Sequence, residues 1–447
     1  MKIIKMTTPQ GEGELAGLRA GLGLGQGLVA QWQQKLSDGR TPVESVREIL
    51  KAVRENGDEA VVAYTEKFDR VRLSPETFRV PQSEIDAAVA ATAPAVIEAL
   101  RQAAANIRRF QLATMATDPE PVESAGRLLA MVYRPLRRVG VYVPGGATAY
   151  PSSVLMTVVP AQVAGVEEVV VVSPPAEGGR IRSLVLAACG VAGVTEVYRL
   201  GGATAVAALA YGTRTIPAVD KIVGPGNLFV QLAKKEVHGQ VDIDMFAGPS
   251  EVLVIADSSA EAGRLAADLL SQAEHNPGCC ILVTDDAALG RRVEEEIRAA
   301  LGGMKSAVAV RDAVERFSAI VEVRDLDEAC RVANFLAPEH LQIQTREPRA
   351  LVAKIRSAGA VFVGPWTPVA VGDYFAGPSH TLPTGGTARF ASGLSANDFR
   401  KRMSVIEYTR AALAADAGAI VTLAEAERFE AHARSVTVRL EEKGGAR

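Results

Sequence analysis

The chain has 447 residues, of which 48% are hydrophobic and 23% charged; that is room for about two to four units and the profile of a soluble α/β protein. Its 49 basic and 52 acidic residues leave a net charge of −3 with no long basic stripe, which argues against a nucleic-acid partner and for a small-molecule substrate. The first residues lack the apolar core of a signal peptide and no apolar run is long enough to span a bilayer, so no membrane partner and a cytoplasmic location are expected. Cys189, Cys279, Cys280 and Cys330 contain no Cys-x-x-Cys, and are read as buried, reduced thiols.

In chain order, residues 1–37 are a Gly-rich lead containing Gly21-Leu-Gly23-Leu-Gly25-Gln-Gly27. A dinucleotide loop needs a strand directly before its glycines; no β-pattern precedes Gly21, so the stretch is read as a turn or flexible lead. From Thr41 helical patterns dominate, first around Val43–Leu50 and then through the Ala-rich stretch 84–110, up to a loop near 115–126. Short apolar runs then alternate with helices at 128–133, 139–143, 169–172 and 221–223, and again at 252–255, 281–283, 341–344 and 360–363. This alternation predicts two doubly wound, parallel-sheet α/β domains rather than one very large sheet.

Turn residues are assigned to strand ends at Pro144-Gly145-Gly146, Ser173-Pro174-Pro175, Gly201-Gly202-Ala203, Gly224-Pro225-Gly226-Asn227 and Gly248-Pro249-Ser250. Open α/β sheets hold ligands at the carboxyl ends of their strands, so together these turns favour a nucleotide-sized crevice. Beyond the loop at 390–393 the sequence reads as largely helical through 439. Such an appendage of about 50 residues is small for a domain with its own core and suits packing against another subunit.

Five histidines occur, and four sit beside acids, amides or turn residues. On the helix ending near Asn276-Pro277, Gln272 and His275 are three apart and share a face, as metal ligands would; a helix-terminal His bonded to the last carbonyls is the equal alternative. In Ala337-Pro338-Glu339-His340 a carboxylate and an imidazole sit on a turn at a sheet edge. They suit two bases of different pKa, or simply a solvated turn. Asp373, after Gly372, could ligate a metal and His380 could bind an anionic substrate group. Glu427 and His432 are five apart, about 140° around a helix, so if both are functional they flank a ligand or the helix is irregular there. Gln272, His275, Asp373 and His432 would together form a mixed oxygen and nitrogen site for zinc or a similar ion. His238 has no motif around it and is read as a surface residue.

The chain resembles the histidinol dehydrogenase family through Val139–Gly146 (VGVYVPGG), Val219–Asn227 (VDKIVGPGN), Ala247–Asp257 (AGPSEVLVIAD), Leu269–His275 (LLSQAEH), Ala337–Leu341 (APEHL) and Leu382–Phe390 (LPTGGTARF). The resemblance implies a homodimer whose sites are completed across the interface, oxidising L-histidinol to L-histidine through L-histidinaldehyde with two NAD. It implies zinc on Gln272, His275, Asp373 and the partner-supplied His432, with Glu339 and His340 as the acid and base pair. It further implies that Ser250, His380 and Glu427 contact histidinol, together with His340 and the ligand residues, and that Tyr142, Thr204 and Asn227 line the NAD site. Thr204 stands where the family often has glutamine, Val369 where a glutamate is common and Ser379 where an asparagine is frequent; these bear on cofactor and substrate contacts. The domain reading is a lead over 1–37, a Rossmann-like domain of 38–138 with 247–390, a second over 139–246, and a dimerisation segment over 391–447. The rival readings are a dehydrogenase of another polar alcohol and a non-catalytic nucleotide-binding protein.

Overall fold

The computed structural model of the protein describes residues 1–22, 34–36, 39–145, 149–245, 250–275, 278–304 and 307–441. The chain divides into two units, one of residues 1–114 with 136–399 and one of residues 115–135 with 400 onward.

The larger unit holds two sheets, each with every pairing parallel. In the first the order is β6 (Glu196–Arg199), β5 (Glu168–Ser173), β4 (Arg138–Tyr142), β7 (Lys221–Val223), β8 (Asp242–Ile243). In the second it is β1 (Lys2–Lys5), β11 (Ala319–Glu322), β10 (Gly278–Thr284), β9 (Ser250–Ala256), β12 (His340–Gln344), β13 (Ala360–Val363). Setting β1 aside as an added edge, both sheets run outward from a first strand in one direction and then restart on its other side. Each thus has a topological switch point, between β4 and β7 and between β9 and β12.

Parallel strands covered on both faces read as unbroken apolar runs, as the sequence does here. Along β9, Val252, Val254 and Ala256 face the helices Ala262–Ala273 and Ala287–Leu301, while Leu253 and Ile255 face the helix Leu326–Leu336. Burying such a Val or Leu side chain contributes about 1.5–3 kcal/mol each. At the amino end of β4, the buried Arg138 guanidinium bonds Glu168 at 2.5 Å and Glu196 at 2.6 Å, tying three adjacent strands by charge. The helix Pro42–Asn56 starts with a capping box between Thr41 and Glu44. It and the helix Asp58–Asp69 supply Val46, Ile49, Leu50 and Val61 to the same core as Val170, Val172 and Ile222 of the five-stranded sheet.

The smaller unit is an antiparallel sheet, β14 (Arg400–Tyr408), β3 (Arg127–Pro135) and β2 (Val122–Ser124), followed by the helices Arg410–Ala426 and Glu430–Leu440. Arg127 grips Asp416 at 2.5 and 2.7 Å. Leu129, Met403, Val405, Ile406, Leu423 and Phe429 are all exposed.

The doubly wound α/β class is what the sequence predicts, with three local differences. Residues 400–408 are a strand where the sequence reads as helical. All nine lack the alternating burial that marks a half-buried strand, so no period-2 signal exists. Residues 128–133 belong to the antiparallel sheet, not to a parallel one. The lead is not merely a turn: β1 joins a sheet edge with only Ile4 buried, too short to show a pattern, and the helix Gly11–Leu22 then carries Gly21, so that a helix and not a strand runs directly before that glycine. The glycines at 23, 25 and 27 lie outside the described residues. Among the described residues no helix is long and apolar enough to cross a membrane.

Candidate active site

At the five-stranded sheet the predicted cofactor residues sit on the carboxyl edge, Tyr142 and Asn227 at the switch point and Thr204 beyond the outer strand β6. Tyr142 ends β4, and its hydroxyl accepts the Gly202 N–H at 3.2 Å; burial pushes its pKa up to about 12, so it stays a neutral phenol. Asn227 opens the helix Leu228–Val237, its side-chain oxygen accepting the N–H groups of Phe229 and Val230. Gly224 takes φ +112°, and a Cβ there would lie 2.1 Å from the Tyr142 carbonyl oxygen; only glycine lets β4 and the 224–227 turn close up. Thr204 is buried in the first turn of the helix Gly202–Tyr211. The helices beginning at Pro151, Gly202 and Leu228 all start on this edge, so the positive ends of their dipoles gather there, an arrangement that favours an anion.

At the six-stranded sheet the predicted catalytic residues sit on the opposite, amino edge. The helix Leu326–Leu336 ends at Ala337 in a left-handed turn (φ +50°) and Pro338 leads into Glu339 and His340, the latter opening β12. Both are buried, at 6% and 4% exposure, so the solvated turn is ruled out. The backbone of Glu251 on the adjacent strand holds the pair: its N–H donates to Glu339 Oε2 at 2.9 Å and its carbonyl accepts from His340 Nδ1 at 3.1 Å. A carbonyl can only accept, so Nδ1 carries the proton and Nε2 is left to exchange one. Nε2 lies 3.3 Å from Asp373 Oδ1, without the alignment of a hydrogen bond, and Nδ1 is 3.5 Å from Glu339.

Burial raises the Glu339 pKa against the opposing pull of His340. Burial alone would lower His340, but Glu339 and Asp373 overcome it and raise it. The two carboxyl and imidazole groups titrate as a coupled pair within reach of neutrality. Glu251 completes the cluster: its side chain is 1% exposed, accepts the Gly385 N–H at 2.8 Å, and is pushed up to about 8 by burial and by Glu339.

Asp373 belongs to the short helix Val369–Tyr374. Gly372, whose Cβ would meet the Phe362 ring at 2.7 Å, lets that helix settle on β13, and the same ring packs 5.8 Å from that of His340. His380 Nδ1 donates to the Asp373 carbonyl at 2.9 Å while Nε2 lies 3.4 Å from Ser153 Oγ. Ser153 is in the first turn of the helix Pro151–Ala164, which follows β4, so this contact joins the carboxyl edge of one sheet to the amino edge of the other. Burial lowers the His380 pKa, and Asp373, His340 and His275 all bear on it.

Gln272 closes the helix Ala262–Ala273, and His275 follows in the turn, exposed, with its backbone N–H on the Gln272 carbonyl. Protein packed around the ring lowers the His275 pKa; Asp373 opposes this shift and His340 adds to it. The Gln272 amide nitrogen is buried without a partner. Ser250 opens β9, so it precedes a strand instead of ending one; positions 248 and 249 lie outside the described residues. Thus Glu339, His340, Asp373, His275 and His380 come together around the amino edge, flanked by Gln272 and Ser250. Among the described residues no three His, Cys, Asp or Glu side chains form a ready metal cage.

Glu427 and His432 are carried by the smaller unit. Glu427 caps the helix Arg410–Ala426, Arg428 turns the chain at φ +61°, and His432 lies in the first turn of the next helix, exposed, its ring 5.2 Å from that of Phe429. The helix is therefore irregular between them, which frees the pair from the 140° of a straight one. Val369 is core, and the Ser379 hydroxyl donates to the Met156 carbonyl at 2.9 Å. Sequence reasoning missed Glu251, Phe362 and Ser153. A charged residue directly after Ser250 in an otherwise apolar strand was the one signal available for Glu251.

A doubly wound α/β fold with glycine turns at the carboxyl edge of one sheet and a buried carboxylate–imidazole pair at the amino edge of the other defines the class of doubly wound α/β enzymes. The histidinol dehydrogenase family profile matches residues 33–440. The histidinol dehydrogenase of Rhodopirellula baltica is 52% identical over 90% of this chain and 87% of its own length, and that of Heliobacterium mobile 49% over 92% and 96%. The crystal structure of histidinol dehydrogenase from Elizabethkingia anophelis superposes with a TM-score of 0.89 at 33% identity, covering 98% of each chain. The chain belongs to the histidinol dehydrogenase family, and it is an oxidoreductase.

Proposed function

We propose that the protein carries out the last steps of histidine biosynthesis in the cytoplasm, oxidising L-histidinol to L-histidine by way of L-histidinaldehyde with two NAD and a bound zinc ion. The observation that carries this reading is the buried pair Glu339 and His340 with its free ring nitrogen facing Asp373. Residues 139–246 would act as the dinucleotide-binding part and 247–390 as the catalytic part.

The donor set fits a zinc ion. Gln272 has a buried amide without a partner, and the same amide, rotated, offers its oxygen. Asp373 is close enough to His275 to act on its ring. One chain offers three such donors around the amino edge; the fourth, His432, would come from the partner of a homodimer, consistent with the uncovered apolar face of the smaller unit. Zinc on Gln272, His275, Asp373 and His432 would supply a positive charge that fixes the substrate's imidazole and amino groups.

The chain's own groups then divide the work. His340 Nε2 would take the alcohol proton and Glu339 a proton from the water that adds to the aldehyde, with burial raising Glu339 toward neutrality and Glu339 and Asp373 holding His340 above its usual range; NAD, when bound, would supply the hydride acceptor. Tyr142, Thr204 and Asn227 would line the dinucleotide, while Ser250, His380 and Glu427 would orient histidinol. Burial of the pair excludes bulk water from the intermediate. The test is stoichiometric. With L-histidinol, excess NAD and zinc, two NADH should form per histidinol consumed; one would indicate a simple alcohol dehydrogenase, and none would overturn the reading. His432→Asn and Gln272→Ala should each lower zinc content, and unchanged zinc would strike that residue from the ligands.

A further inference from the structure

Beneath the 224–227 turn lies an ion pair sealed from solvent. The Lys234 and Asp244 side chains are each 1% exposed. Lys234 Nζ bonds Asp244 Oδ1 and donates to the Gly224 carbonyl at 3.1 Å. Asp244 Oδ2 accepts the Gly224 N–H at 2.7 Å, and Oδ1 accepts the Met245 N–H at 2.7 Å. Both backbone polar groups of one glycine are thus held by the two halves of one charge pair. On its other side Gly224 abuts the Tyr142 backbone and has no room for a side chain.

A buried ion pair is a weak source of stability, because desolvation offsets the Coulomb attraction, and an apolar pair of similar volume often stabilises a fold as well or better. What charge supplies that apolar packing does not is direction: besides the bond within the pair, three bonds are aimed at three backbone groups. Those groups sit where β7 ends at the switch point and where the chain leaves β8 for Ser250, the start of the strand whose Glu251 backbone holds Glu339 and His340.

We propose that Lys234 and Asp244 are a positioning pair for the dinucleotide, holding Gly224 and the turn it begins against Tyr142, so that dinucleotide affinity depends on the pair while histidinol affinity does not. This rests on the reading that the crevice at β4 and β7 takes NAD. The pair acts through the backbone and touches no reacting atom.

The test uses the full-length, zinc-loaded protein and titrates NADH by fluorescence alongside melting temperature and the KM for histidinol. Three variants are compared: Lys234→Met, the double variant Lys234→Met/Asp244→Leu, and Asn227→Ser, which keeps a capping oxygen on its helix. The double variant removes both charges at once and so avoids stranding one in the core. Cooperative melting near the wild-type temperature, NADH binding weakened about tenfold or more and a histidinol KM within about twofold are expected of it, since small misplacements of a binding loop are felt strongly. A folded double or single variant that binds NADH as the wild type does overturns the proposal, as does a parallel rise of both affinity constants. Asn227→Ser separates the two ideas. Unchanged NADH binding there removes the turn from the cofactor site and the proposal with it, whereas weaker binding there with none in the charge-pair variants overturns the pair alone.

Discussion

The two parallel sheets share one strand order and use opposite edges. The five-stranded sheet gathers its loops at the carboxyl edge of β4 and β7, as open α/β sheets ordinarily do. The six-stranded sheet has the equivalent switch point at β9 and β12, yet Ser250, Glu339 and His340 stand at its amino edge. Helix dipoles explain the division. Helices start at the carboxyl edge and present positive ends, which suits a pyrophosphate. They finish at the amino edge, as Ala262–Ala273 and Leu326–Leu336 do beside Gln272 and Glu339, and their negative ends suit a metal cation and a cationic amine. One fold repeated in one unit can thus hold an anionic cofactor and a cationic substrate, and the Ser153–His380 contact joins the two edges.

The sharpest break of this comparison is His340→Asn. Loss of a general base lowers kcat by about 10²–10⁴-fold, while NADH titration and zinc content stay at wild-type levels; weakened NADH binding would mean that the edges are not separable. Next is Glu251→Gln, read by denaturant titration at acid and alkaline pH. The folded pKa of Glu251, about 8, lies above its unfolded value. The native state therefore retains a proton that the unfolded chain releases, and stability falls as pH rises from about 4.5 to about 8. The glutamine variant escapes this loss, so it should match wild type near pH 4.5 and exceed it above pH 8 by a few kcal/mol, on the order of the linkage. Equal pH dependence would show that Glu251 is ionised in the fold.

Gly224→Ala addresses the other edge. Forcing a Cβ against the Tyr142 carbonyl at φ +112° should lower stability by about 1–3 kcal/mol and weaken NADH more than histidinol, seen by melting and titration together. The smallest effect is expected of Thr204→Val, which keeps a similar shape in a buried helical turn and drops one hydroxyl. A change in NADH affinity worth about 0.5–1.5 kcal/mol is the most a single neutral hydrogen bond supplies, and no change would show that Thr204 serves packing alone.

Much of this was legible in the chain because parallel strands buried on both faces leave continuous apolar runs, which is why β4, β5, β9, β10 and β12 are visible as sequence. β14 was not, since its exposed residues follow no two-residue period, and β1 was not, since four residues with one buried isoleucine carry too little pattern. The ligand and base candidates were legible as residue types beside helix stops. Their convergence was not, because Gln272, Glu339, Asp373 and His380 are brought together by three crossovers of one sheet.

By itself the sequence determined the α/β class, the two sets of strands and the sparing placement of histidine, all of which follow from local periodicity and turn chemistry. Only the tertiary structure decided which edge each motif occupies, since the same strand–turn–helix sequence can present its strand's first or last residue to a ligand. It also decided that the backbone of Glu251 holds the Glu339–His340 pair, and that Lys234 and Asp244 close on Gly224. Those contacts join residues far apart in the chain, and burial in a low-dielectric interior gives them their force.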